Sequence, residues 1–130
     1  MERRALKVFL DTHAAIFLWE GRQEVFGRAS RELLERAVLL ISPLVRLEMW
    51  LLREVGKLAV EPGHLLDGLT TELGVAEPAD PLPAVIAQAQ PLSWTRDPFD
   101  RLIVATALLH GSPLITRDRT ITANYSESVW

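Results

Sequence analysis

Four carboxylates stand out by position: Asp11, Glu48, Asp100 and Asp118. Asp11 ends the apolar run Lys7-Val8-Phe9-Leu10, and Asp118 follows Pro113-Leu114-Ile115-Thr116. If both runs are parallel strands, both acids lie at the carboxyl ends of the strands, where open parallel sheets bind ligands. Each also suits the N-cap of a following helix. Glu48 lies on a helix starting at Pro43. At 100° per residue, Leu44, Val45, Leu51, Leu52 and Val55 share an arc about 120° wide with Glu48 in its middle. Arg46, Arg53 and Lys57 fall opposite. A carboxylate aimed at the core is costly unless a cation or hydrogen bonds compensate it, so either a functional role or a buried ion pair would account for it. In Asp97-Pro98-Phe99-Asp100, Asp97 takes the N-cap, Pro98 is N1 and Asp100 is N3. Asp97 is read as structural. Asp100 shares its helix face with Ile103, Val104 and Ala107.

Four such acids on one edge would repel each other and raise each other's pKa. Divalent cations relieve that repulsion, and an oxygen-only donor set suits Mg²⁺ or Mn²⁺. Such centres stabilise phosphoryl transfer and activate water, so the chemistry implied is metal-dependent phosphodiester hydrolysis. Thr12 and Thr116 flank the site as supporting hydroxyls. Arg96, Arg101, Arg117 and Arg119 lie near the acids in sequence, as phosphate contacts or as exposed surface charges. His13, His64 and His110 show no metal spacing, and His13 reads either as a group supporting the site beside Asp11 or, by preference, as a packed helix residue. No P-loop or G-x-G-x-x-G is present.

The elements that must position these residues alternate. Strands are expected at 7–10, 38–41 and 113–115, with a weak strand at 75–77 and an edge strand at 128–130. Helices are expected at 12–19, 27–37, 43–55 and 62–73, from Pro81 or Pro83 to 90, and at 98–110; 120–125 reads as a short connection. This β-α-β-α order argues for a parallel sheet with helices on both faces. Residues 1–130 read as one domain, with 48% hydrophobic and 24% charged residues. Area scaling buries roughly two-thirds of such a chain's surface. The absence of cysteine excludes disulfide scaffolds, thiolate metal sites and thiol catalysis. No apolar run approaches a membrane span, and Met1-Glu2-Arg3-Arg4 leads into too short an apolar stretch for a signal peptide, so a cytoplasmic protein is expected. The net charge of −3 requires that any nucleic-acid role rest on a local basic patch or on cations held by acids.

Several blocks together resemble a PIN domain, in particular the VapC-like toxin nucleases. They are Phe9-Leu10-Asp11-Thr12-His13-Ala14, Ile41-Ser42-Pro43 to Glu48, Gly56-Lys57-Leu58, Arg96-Asp97-Pro98-Phe99-Asp100-Arg101-Leu102-Ile103-Val104-Ala105-Thr106-Ala107, and Pro113-Leu114-Ile115-Thr116-Arg117-Asp118. They occur in order and span nearly the whole chain. The resemblance implies a three-layer α/β/α fold with a mainly parallel central sheet. It implies a Mg²⁺- or Mn²⁺-dependent ribonuclease, homodimeric and inhibited by a small antitoxin encoded beside it. Its four acids fall on Asp11, Glu48, Asp100 and Asp118. Relatives often carry an aromatic next to the Glu, whereas here the aromatic is Trp50.

Two other readings remain open at this level. A PIN-like module could bind RNA or a protein without catalysis. A phosphatase or receiver domain could use Asp11 as nucleophile, but a haloacid-dehalogenase-type phosphatase needs a second Asp where His13 stands.

Overall fold

The computed structural model describes residues 6–130. The Met1–Arg4 segment, read above against a signal peptide, lies outside the described residues. β1 (Lys7–Leu10) and β2 (Val38–Ile41) are each exposed at the first residue and buried at the next three. Such unbroken apolar runs suit parallel strands covered on both faces. β3 is Leu114–Ile115 and β4 is Ser128–Val129. All pairings are parallel, in the order β2-β1-β3-β4. Phe9 pairs with Leu114 and Leu10 with Ile115, so β1 and β3 end level with each other.

The helices are α1 (Thr12–Trp19), α2 (Arg28–Arg36), α3 (Pro43–Glu54), α4 (Pro62–Leu73), α5 (Leu82–Ala89), α6 (Pro98–Leu109) and α7 (Arg119–Asn124). The chain leaves β1 towards β2 on one side, then crosses back over β1 to reach β3 and β4. Right-handed crossovers in opposite directions lay their helices on opposite faces of the sheet, giving the three-layer α/β/α arrangement. The reversal falls between β1 and β3. A crevice opens there at the carboxyl ends of the strands. The core is built from Val8, Phe9, Leu10, Leu114 and Ile115 of the sheet, capped by Ala14, Val45, Met49, Leu65, Leu69, Ile103 and Val104.

Most helix starts carry a local reason. Ser42, Glu61 and Asp97 each accept a backbone N–H of the first turn, and a proline follows each of them. Buried polar groups are paired: Thr106 donates to the Leu102 carbonyl at 2.8 Å and contacts Ser42 Oγ at 3.2 Å.

Three expectations need correction, and one element is new. Residues 119–124 form a helix, α7, because the Asp118 side chain accepts the Ile121 N–H and starts it. The weak strand at 75–77 is a single bridge, Ala76 with Leu40, after which Pro78 removes a ladder donor. A 3-10 turn at Gln23–Val25 was not foreseen. The buried face of α3 is centred on Val45 and Met49, whereas Leu51 and Val55 stay 38% and 66% exposed. Glu48 therefore sits at the edge of the buried stripe rather than in its middle.

Candidate active site

Each acid is delivered by a different part of the fold. Asp11 follows β1 and caps α1, with Oδ1 accepting the Ala14 N–H at 2.8 Å. Asp118 lies three residues beyond β3 and caps α7 through Oδ1, at 2.9 Å from the Ile121 N–H. The cap occupies one oxygen of each carboxylate and leaves the second uncommitted by it. Capping and function, alternatives on the sequence, are compatible in the same side chain. Glu48 reaches in from the second turn of α3, where Oε1 accepts the Thr12 hydroxyl. Asp100 enters from the first turn of α6.

The structure brings these four acids to one cavity of about 420 Å³, which is also lined by Thr12, His13, Asp97, Ile103 and Arg117. It lies at the crevice between β1 and β3. The acids surround the space without closing it: among the described residues, no three acidic or histidine side chains are grouped tightly enough to enclose an ion as they stand.

The electrostatics show what the cavity lacks. Burial pushes the Asp11 carboxyl above its ordinary value of 3.8, and Glu48 adds to the push. The Thr116 hydroxyl, the Ala14 N–H and His13 hold it down in part. Asp100 is pushed up to about 7, first by burial and then by the charges of Asp97, Asp118, Glu48 and Asp11. Every one of these influences on Asp100 raises it. The cavity is short of positive charge and offers carboxylate and hydroxyl oxygens, the donor set that hard divalent ions take. The residues present therefore fit a hard divalent ion, for which Asp11, Glu48, Asp100 and Asp118 are the carboxylates available.

The remaining candidates separate by position. Asp97 lines the cavity, yet its Oδ1 accepts the Phe99 and Asp100 N–H groups, so it works as the cap of α6. Thr116 supports Asp11 and also accepts the Asp118 N–H at 3.1 Å. Arg117 lines the cavity, whereas Arg96 and Arg119 are exposed and are not part of its lining. Arg101 corrects its reading as a phosphate contact. It donates to the Ala89 and Gln90 carbonyls at 2.9 and 2.8 Å, tying the C-terminus of α5 to α6. The Ala89 carbonyl also accepts the Leu92 N–H at 3.0 Å, and an arginine is well suited to satisfy the last carbonyls of a helix. His13 was expected to pack, but it is exposed and lines the cavity. Its place in the first turn of α1, two residues after Asp11, was the signal available for it.

The whole arrangement, from β1 to the turn after α7, coincides with one family. The PIN domain family matches residues 8–125. This chain belongs to the PIN domain family. It is 33% identical over 117 residues to Ribonuclease VapC22 of Mycobacterium tuberculosis, covering 88% of each chain. Its fold is similar to a chain of a toxin–antitoxin complex from Klebsiella pneumoniae, with a TM-score of 0.67 and 22% identity over 95% of this chain and 96% of that one. A chain of VapBC-1 from nontypeable Haemophilus influenzae matches with a TM-score of 0.64 and 17% identity over 96% of each. At these identities the two structures bear on the fold alone. No helix of the described residues is long and apolar enough to cross a membrane.

Proposed function

We propose that this chain, residues 1–130 acting as one domain, is a Mg²⁺- or Mn²⁺-dependent endoribonuclease that hydrolyses RNA phosphodiester bonds. Its biological role is that of a cytoplasmic toxin, homodimeric and restrained by a cognate antitoxin protein. The observation that carries the reading is the convergence of Asp11, Glu48, Asp100 and Asp118 on one cavity, with Asp100 raised to about 7 by burial and then by its acidic neighbours. The relationship to a protein named as a ribonuclease supports the substrate class.

In this reading Asp11, Asp100 and Asp118 hold the ion. Bound there, a divalent cation supplies charge stabilisation for phosphate oxygens and lowers the pKa of a nearby water. The chain's own residues do the rest. Thr116 and the Ala14 N–H fix the Asp11 carboxylate, and the Ile121 N–H fixes Asp118. Thr12 holds Glu48 at the cavity wall, where its carboxylate orients the attacking water and accepts its proton. Capping through a single oxygen makes these orientations rigid before substrate arrives, so little reorganisation is left for the reaction.

The test is cleavage of RNA by purified protein. Activity that appears with Mg²⁺ or Mn²⁺, disappears in EDTA and falls at least about a hundredfold in Asp100→Asn is the expected result. RNA binding without cleavage by the wild type under any divalent ion would instead establish the non-catalytic module.

A further inference from the structure

An acidic cavity repels the RNA it is proposed to cut, and the chain's net charge of −3 does not help. A local source of attraction is required beside the acids. One cation on the cavity wall is placed for it. Arg117 lies between Thr116, which supports Asp11, and Asp118, which lines the cavity. A free guanidinium beside four carboxylates would be drawn onto them. Arg117 forms no ion pair among the described residues. Its guanidinium lies 4.8 Å from the ring centre of Phe17 and 5.5 Å from that of Trp130. Rings in that position hold a guanidinium by cation–π attraction and leave its edge N–H donors available.

The support is itself anchored. Trp130 stacks on Phe26 with ring centres 5.0 Å apart, and Phe26 meets Phe17 edge-on at 6.5 Å. Gly27 lets the backbone of Trp130 come close, since a Cβ there would lie 2.6 Å from the Trp130 carbonyl oxygen. Arg22 lies 5.0 Å from the centre of the same Phe17 ring, but it faces Glu20 and Glu24 at 3.9 and 3.8 Å. The uncompensated charge is that of Arg117.

We propose that Arg117, held by Phe17 and Trp130 at the rim of the acid cavity, binds an RNA phosphate adjacent to the one being cleaved, and that Trp130 is its positioning residue. The proposal rests on the ribonuclease reading above. A guanidinium suits this role because its planar fork can take two phosphate oxygens while staying off the carboxylates. It also answers the electrostatic problem without placing a cation inside the cavity, where it would compete with the metal.

The experiment compares wild type with Arg117→Met, Arg117→Lys and Trp130→Leu, using a short oligoribonucleotide with Mg²⁺. Arg117→Met should raise KM about tenfold with kcat changed by no more than about threefold, as expected when a phosphate contact outside the reacting bond is lost. Arg117→Lys should recover part of that loss. Binding of the fluorescently labelled oligonucleotide is followed separately in the Asp100→Asn background. There, Arg117→Met should lower the salt dependence of log K by about one phosphate contact. Trp130→Leu should weaken binding in the presence of Arg117 and add nothing to Arg117→Met, the signature of a residue acting through another. In the wild type alone, one neutral methylphosphonate linkage next to the cleaved bond should be inhibitory, which needs no variant to fold. Unchanged KM and salt dependence in Arg117→Met, with active wild type, would overturn the proposal and leave the ribonuclease reading standing. Loss of antitoxin binding with RNA parameters unchanged would likewise overturn it, assigning Arg117 to a protein contact. A wild type that cleaves no RNA would remove both.

Discussion

Asp11, Asp97 and Asp118 are chemically alike, and all three cap helices; what separates Asp11 from Asp97 is burial. In Asp97, one oxygen serves both the Phe99 and Asp100 N–H groups at an exposed helix start. Asp11 is withdrawn from solvent against Thr116, with its carboxyl raised by burial. The consequence is a contrast in what substitution does. Asp97→Ala should cost about 1 kcal/mol of stability, and Asp97→Asn should restore most of it, because asparagine caps equally well. Chemical denaturation of both variants checks this; equal destabilisation by Ala and Asn would refute the capping role. Asp11→Asn keeps the cap acceptor but removes the charge, so it should fold and lose RNA cleavage.

Elements place these side chains, and here the sequence was only partly readable. Asp97-Pro98 marked the start of α6 because a capping acid followed by proline has few other structural meanings. The strand ends at Asp11 and after Thr116 were legible because the residues leading into them, Val8–Leu10 and Leu114–Ile115, are apolar and the runs are short. The rotation of α3 was not. It carries Leu44, Val45, Leu47, Met49, Trp50, Leu51, Leu52 and Val55, more apolar residues than one face can bury. Periodicity alone cannot choose among the arcs; packing against α6 and α4 buries Val45 and Met49 and leaves Leu47 and Trp50 exposed. The six residues of α7 escaped because threonine and asparagine are weak helix formers and the signal was the cap alone. Likewise, nothing local told Arg101 from Arg117, since the partners of both are distant in sequence. Packing between elements is tight at Gly68 of α4, where a Cβ would lie 2.5 Å from Trp19 Nε1 of α1. Gly68→Ala should therefore destabilise by about 1–3 kcal/mol through overpacking, although alanine is the better helix former. A thermal melt at or above that of the wild type would show that Trp19 moves aside freely.

For the whole molecule, the acids make stability depend on pH, and with it the proposed metal binding. Asp100 has an ordinary value of 3.8 and about 7 in the fold. Between those values the folded chain holds a proton that the unfolded chain has released. The folded state then binds more protons, so stability must fall as pH rises through this window. The contribution is complete below 3.8 and gone above about 7. Asp11 shifts in the same direction. Asp100 is only half-buried, and solvent screening reduces the effect to a few degrees of melting temperature. In EDTA, Asp100→Asn should melt like wild type near pH 4 and above it near pH 8. A gap independent of pH would show that Asp100 is not perturbed. Added Mg²⁺ should stabilise wild type most at the higher pH, because a ligand that binds only the folded state stabilises it by mass action.

The most direct test of a shared metal centre is Mn²⁺ binding followed by calorimetry in the wild type, Asp11→Asn and Asp100→Asn. The account predicts that the wild type binds Mn²⁺ and that each substitution, on separate elements, weakens it at least about tenfold, or about 1.4 kcal/mol. Binding that is absent from the wild type, or unchanged in both folded variants, would contradict it.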